Sequence, residues 1–152
     1  MTIGVVDTNR VLAESKPGTV ISGKLQQLSG KWQQQVALAE QRLEDVQGRL
    51  SKLTANTPAQ TVFKQQHEAR MLELALRHTQ ELAQAELEAY SEFWQAALSQ
   101  NLAQELDRVG KAKKLSMVVT GPNAQIPYVD STLDVTADVI TAFNASFKED
   151  SY

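Results

Sequence analysis

LQQLSGKWQQQVALAEQRLEDVQGRLSKL, residues 25–53, is the stretch on which the fold turns. Leu25, Trp32, Ala39, Val46 and Leu53 recur every seven residues, and Val36, Leu43 and Leu50 form a second row of the same period. An apolar repeat of 3.5 residues per turn keeps one seam against a neighbour only if the helix supercoils to the left. The pattern therefore predicts a long helix over about residues 20–54, wound against a partner and reaching on the order of 50 Å.

Working outward, the repeat stops at Thr54-Ala55-Asn56-Thr57-Pro58. Asn56 suits the end of one helix, Thr57 the cap of the next and Pro58 its first position, which predicts a hairpin tip near 54–58. From Ala59 to about Ala112 there is no proline and only Gly110, and Met71, Leu74, Leu82, Ala85, Ala89, Phe93 and Ala96 keep a helical stripe. This return helix spans roughly 80 Å, longer than the outgoing one. Its last turns should come back to a body, with Leu98, Leu102, Leu106 and Val109 packing on Val11 and Leu12 and Trp94 at the junction. The seam between the two helices is assigned to Leu25, Trp32, Val36, Leu43, Val46, Leu50 and Leu53 on the first, and to Met71, Leu74 and Leu82 on the second.

The two ends of the chain read differently. Ile3-Gly4-Val5-Val6 is a β-branched run, followed by Asp7 or Thr8 as cap of a short helix bearing Val11 and Leu12, which Lys16-Pro17-Gly18-Thr19 breaks. Residues 115–120 read as a strand, Gly121-Pro122-Asn123-Ala124 as a turn, and 126–129 as a second strand of a hairpin, at the sheet edge because Pro127 has no amide donor. Asp134 and Thr136 suit the cap of a final helix over about 134–147, with Val135, Val139, Ile140 and Phe143 buried. The fold class is α+β and mostly helical. A small β-rich body of residues 1–19 and 95–152 carries a protruding antiparallel helical hairpin, a coiled-coil arm, of residues 20–94.

Composition narrows the function. The 152 residues carry a net charge of -3 and a pI near 5.4, which argues against a nucleic-acid partner, since displacing phosphate counterions needs a basic surface. Without cysteine there is no disulfide framework, thiolate metal site or cysteine nucleophile. His67 and His78 are three helical turns apart, roughly 16 Å, too far to share a metal, and neither follows a glutamate by three residues. No nucleophile elbow or phosphate-cradling glycine loop is present, and Asp7 and Asp130 at strand ends read as turn caps. The chain reads as no enzyme, with no cofactor and no metal. Lys111, Lys113 and Lys114, the only basic cluster, oppose a helix macrodipole, and three lysines fall short of a lipid-binding cluster. A two-helix hairpin has one seam, so its remaining apolar side chains predict an oligomer.

The opening Ile3-Gly4-Val5-Val6-Asp7-Thr8-Asn9-Arg10-Val11-Leu12 with Lys16-Pro17-Gly18 resembles the start of mature Skp/OmpH chaperones. The closing Leu115-Ser116-Met117-Val118-Val119, Asn123-Ala124, Ile126-Pro127-Tyr128-Val129-Asp130 and Leu133-Asp134-Val135-Thr136-Ala137-Asp138-Val139-Ile140 resembles that family's carboxy-terminal signature. The resemblance implies a homotrimer with a β-rich body and helical arms around a cavity that holds unfolded outer-membrane proteins without ATP, in the periplasm. On that reading a signal peptide has been removed before Ile3. Trimer contacts are then expected at Ile3, Val5, Met117 and Val119, and client contacts at Val62, Phe63, Leu76 and Leu87. The best-known members are strongly basic whereas this chain is mildly acidic, so lipid or lipopolysaccharide binding is not carried over. The alternatives are a structural coiled-coil adaptor for one folded partner and a cytosolic prefoldin-like chaperone, whose β-hairpins lie between its long helices.

Overall fold

The computed structural model describes residues 1–121 and 128–152. Strand β1 (Ile3–Asp7) leads into α1 (Thr8–Glu14), then α2 (Lys16–Ser51), α3 (Ala59–Ala112), β2 (Met117–Gly121), a 3-10 turn (Ser131–Leu133), α4 (Thr136–Ala145) and a last 3-10 turn (Glu149–Ser151). The chain divides into two compact units, one of residues 1–24 with 91–152 and one of residues 25–90.

In the first unit β1 and β2 pair in parallel, in register from Ile3 opposite Met117 to Asp7 opposite Gly121. On the other side of β1, the Val135 N–H donates to the Val5 carbonyl at 2.9 Å. The core beneath this sheet gathers Val6, Val11, Ile21, Leu98, Leu102, Val109, Val135, Val139 and Phe143. Leu12, expected in it, is 37% exposed. The expected strand at 115–120 begins two residues later, at Met117, and the expected helix over 134–147 is confined to Thr136–Ala145. Of the expected strand at 126–129, residues 126 and 127 lie outside the described residues, as does most of the expected turn, and Tyr128 and Val129 have no regular secondary structure.

Caps explain the boundaries. The Asp7 carboxylate accepts from the Asn9 and Arg10 N–H groups at 3.0 and 3.2 Å, starting α1, while the Thr8 hydroxyl donates to the Gly121 carbonyl at 3.0 Å and ties α1 to β2. The break after α1 falls at Ser15, so α2 starts at Lys16 and the expected interruption at 16–19 is instead its first turn. Ser15 is extended (φ -80°, ψ 153°) and its hydroxyl accepts from the Gly18 N–H at 3.2 Å, while Pro17 lies where a missing N–H costs nothing. The last helix departs from expectation: its N-cap position is Val135, which supplies no side-chain cap, and Thr136 is its first residue. Asp134, one residue before Val135, accepts from the Thr136 N–H at 2.9 Å, and its hydrogen bonds with Thr136, helped by Arg10, hold its carboxyl below the ordinary aspartate range. At the other end of α3, the Leu115 N–H donates to the Gly110 carbonyl (2.9 Å) and the Lys114 N–H to that of Lys111 (3.1 Å). This is a Schellman cap with Lys114 in the left-handed position at φ 55°.

In the second unit the two helices run antiparallel. The Trp32 indole N–H donates to Glu86, and Arg49 donates to Glu68 at 3.0 Å, so 17 residues forward along α2 match 18 backward along α3. The turn at 52–58 is held by the Thr57 N–H on the Thr54 carbonyl (3.0 Å) and by the Thr54 N–H on the Thr57 hydroxyl (3.0 Å). Thr57 therefore closes the turn instead of capping α3, and Pro58 precedes the helix, its carbonyl accepting from Thr61 and Val62 at 2.9 and 3.1 Å.

Two tests follow from these ends. A Cβ at Gly18 would lie 1.7 Å from the Leu12 carbonyl oxygen, whereas Gly23 and Gly30 have nothing within 4 Å. Gly18→Ala is expected to cost about 3 kcal/mol or more, and Gly23→Ala or Gly30→Ala to gain about 0.5–1 kcal/mol, in thermal and urea unfolding. Lys114→Gly, which relieves the left-handed lysine, is expected to raise stability by roughly 1 kcal/mol.

Candidate functional site

Two surfaces collect the side chains singled out in the sequence. The first is one face of the small sheet. Gly4 and Val6 are buried, so by alternation Ile3 and Val5 point to the opposite face, and the register places Met117 and Val119 beside them. Ile3, Val5 and Val119 are half-buried and Met117 is 51% exposed. Among the described residues β2 pairs with β1 alone, so its outer edge keeps a row of backbone donors and acceptors.

The second surface runs along α3 in the unit 25–90. All eight positions of the two seven-residue rows, seven on α2 and Leu53 just beyond it, are buried or half-buried, with Val46 at 2% exposure. On α3 the placement differs from the expectation. Met71, Leu74 and Leu82, assigned to the seam, are 48%, 49% and 45% exposed. Val62, Leu76 and Leu87, assigned to client contact, are half-buried, and of that set Phe63 alone is exposed, with its ring stacked on His67 at 6.0 Å between centroids.

The shielded stripe of α3 is instead Val62, Gln65, Ala69, Leu72, Leu76, Thr79, Ala83 and Glu86, at alternating steps of three and four. Five of these eight are small or polar, so hydrophobicity alone points to the wrong face. Glu86 belongs there because it accepts from Trp32, and the Gln65 Oε1 is buried with no hydrogen-bond partner among the described residues. The available signal was the spacing of Val62, Ala69, Leu72, Leu76 and Ala83 in steps of three, four and seven, where small residues opposite Trp32, Leu43 and Leu50 let the two helices approach. The Arg49–Glu68 pair, with both side chains about half exposed, adds little to stability.

Other chemistry is sparse. Among the described residues no group of three or more His, Asp or Glu side chains could hold a metal ion. Among the described residues no helix is long and apolar enough to cross a membrane. Of the lysine cluster, Lys111 pairs with Asp107 at 2.6 Å and Lys113 with Asp138 at 2.8 Å. Glu105 is buried at 3% exposure beside Arg108, its carboxylate 3.1 Å from Nη1, in the wall of a cavity of about 250 Å³ that Phe147, Lys148 and Tyr152 also line.

The placement on α3 is testable by paired truncations. Val46→Ala should lower stability by about 1.5–3 kcal/mol, whereas Leu82→Ala should stay within about 0.5 kcal/mol of the parent in urea unfolding.

Comparison with known proteins gives two results. The profile of a family described as outer membrane protein (OmpH-like) matches residues 2–143. A crystal structure from Caulobacter crescentus CB15, described as an OmpH-like outer membrane chaperone, superposes with a TM-score of 0.85 at 17% identity, covering 96% of this chain and 85% of its own. Among curated proteins no sequence matches.

Proposed function

The chain belongs to the OmpH-like outer membrane protein family, and on that premise we propose that it is an ATP-independent holding chaperone that keeps unfolded outer-membrane proteins from aggregating in the periplasm. The observation that carries this reading is the row of large apolar side chains left in water on α3: Phe63, Met71, Leu74 and Leu82. A soluble helix pair that buries one stripe and leaves a second apolar stripe exposed has a surface suited to another chain. Many weak contacts spread along such a row hold an unfolded segment without imposing a fold on it, and no nucleotide is needed for binding that is driven by apolar burial.

In this reading residues 1–19 and 95–152 form the body, residues 20–94 form the arm, and three copies join through the bodies. Ile3, Val5, Met117 and Val119 supply an apolar patch and β2 an unpaired edge, the two ingredients of strand-to-strand assembly. Three arms would then enclose the client, with their α3 rows as the contact surface. The client set moves accordingly: Phe63 stays in it, Met71, Leu74 and Leu82 enter, and Val62, Leu76 and Leu87 support the seam.

The test combines mass with holding. Light scattering after size exclusion should give about three times 16.8 kDa. The protein should suppress light scattering of an outer-membrane β-barrel protein diluted from urea without added ATP. Phe63→Ser with Leu74→Ser should weaken that suppression several-fold while changing folding stability by no more than about 0.5 kcal/mol. A stable monomer, or full suppression by the double variant, would sink this reading.

A further inference from the structure

Around Leu82 the exposed apolar row of α3 is bordered by carboxylates, whereas Lys64, Arg70 and Arg77 stand beside its earlier members, so the charge of the border differs along the row. From His78 to Asp107 the sequence has six carboxylates and neither lysine nor arginine. Within the unit 25–90 these are Glu81, Glu86 and Glu88. Glu86 is engaged by Trp32, Glu88 accepts from the Gln84 side-chain amide at 2.9 Å, and Glu81 makes no ion pair or hydrogen bond among the described residues. On α2, the stretch 25–41 offers Lys31 as its one basic side chain, and its ammonium lies over the Trp32 ring at 5.8 Å.

Geometry sets acid and apolar groups side by side. Glu81 and Glu88 are seven residues apart, two turns along one exposed face with Ala85 between them, and Leu82 and Ala89 each follow one residue later. A lysine or arginine from a bound chain could lay its methylene stem on Leu82 with its cation at Glu81, or on Ala89 with its cation at Glu88. A client carboxylate beside Glu88 would meet like charge, while at Glu81 the exposed Arg77 one turn earlier offsets part of that repulsion.

We propose that this double row, Glu81 and Glu88 beside Leu82, Ala85 and Ala89, selects unfolded client segments that carry Lys or Arg next to apolar side chains, so that basic clients are held more tightly than acidic ones. The inference rests on the holding function proposed above. It concerns client charge, which the apolar row does not determine. Because the carboxylates are exposed, the preference weakens as salt rises.

The experiment uses the full chain and two reduced, urea-unfolded probes of similar length and opposite net charge: lysozyme, which is basic, and α-lactalbumin, which is acidic. Each is diluted into chaperone and followed by light scattering, with an unfolded outer-membrane β-barrel protein as a third probe. The expected result is half-suppression of lysozyme at about fivefold lower chaperone concentration than α-lactalbumin at low salt, the size expected of two exposed charge contacts. That gap should close at about 0.5 M salt. Glu81→Gln with Glu88→Gln should bring the two probes together without weakening the hold on α-lactalbumin. Equal suppression of both probes by the parent overturns the charge preference while the holding function stands on the β-barrel probe. Suppression of none of the three overturns both. An unchanged preference in the double variant overturns the assignment to this row, and a change of solution mass in that variant overturns it by making the row a contact between copies.

Discussion

The parallel pairing of β1 with β2 is the constraint from which the rest of the architecture follows. Parallel neighbours cannot be joined by a tight turn, because the chain must return to the starting end before the second strand begins. Here the crossover is α1, α2 and α3 together, so residues 3–7 meet 117–121 only after the chain has gone out along one long helix and back along another. Closing so long a loop is entropically costly, and the closure is secured by hydrogen bonds around β1: the Thr8 hydroxyl donating to the Gly121 carbonyl, the Thr136 hydroxyl accepting from the Asp7 N–H, and the Val135 N–H donating to the Val5 carbonyl. The two ends of the sequence therefore form a common core with Phe143, Val139 and the last turns of α3.

In the second unit a different economy operates. A pair of helices has only one mutual seam, and α3 carries more apolar residues than that seam can take. The packing shields one stripe of α3, in which Val62, Leu72 and Leu76 alternate with Ala69, Thr79 and Ala83, and leaves Phe63, Met71, Leu74 and Leu82 turned outward. Exposed apolar surface is thus a by-product of how the pair packs and also the feature that most invites a partner.

Much of the layout was legible in advance because it depends on local rules. The seven-residue rows from Leu25 to Leu53, the turn near 54–58 and the strands that begin near Ile3 and Met117 all rest on side-chain type at fixed spacing. Boundaries were less legible where two local readings compete: Lys16-Pro17-Gly18-Thr19 reads equally as a helix breaker and as a first turn, and Ser15, buried and capping Gly18, settles which. The candidate client surface was legible only as a list of apolar residues on α3. Its division into packed and exposed positions was not, since Gln65, Thr79 and Glu86 in the shielded stripe look like surface residues in a linear sequence.

What the sequence determined by itself is therefore periodic and local: long helices, where they turn, where the first and second strands begin, and an acidic, cysteine-free chain. What only the tertiary structure decided is relational. The parallel direction of the β1–β2 pair and the face of α3 that meets α2 depend on which surfaces find each other across a hundred residues of chain. Neither is encoded in a residue's neighbours. Hydrophobic periodicity measures how apolar each face of a helix is, whereas packing selects the face whose shape fits, and on α3 those two criteria point in different directions.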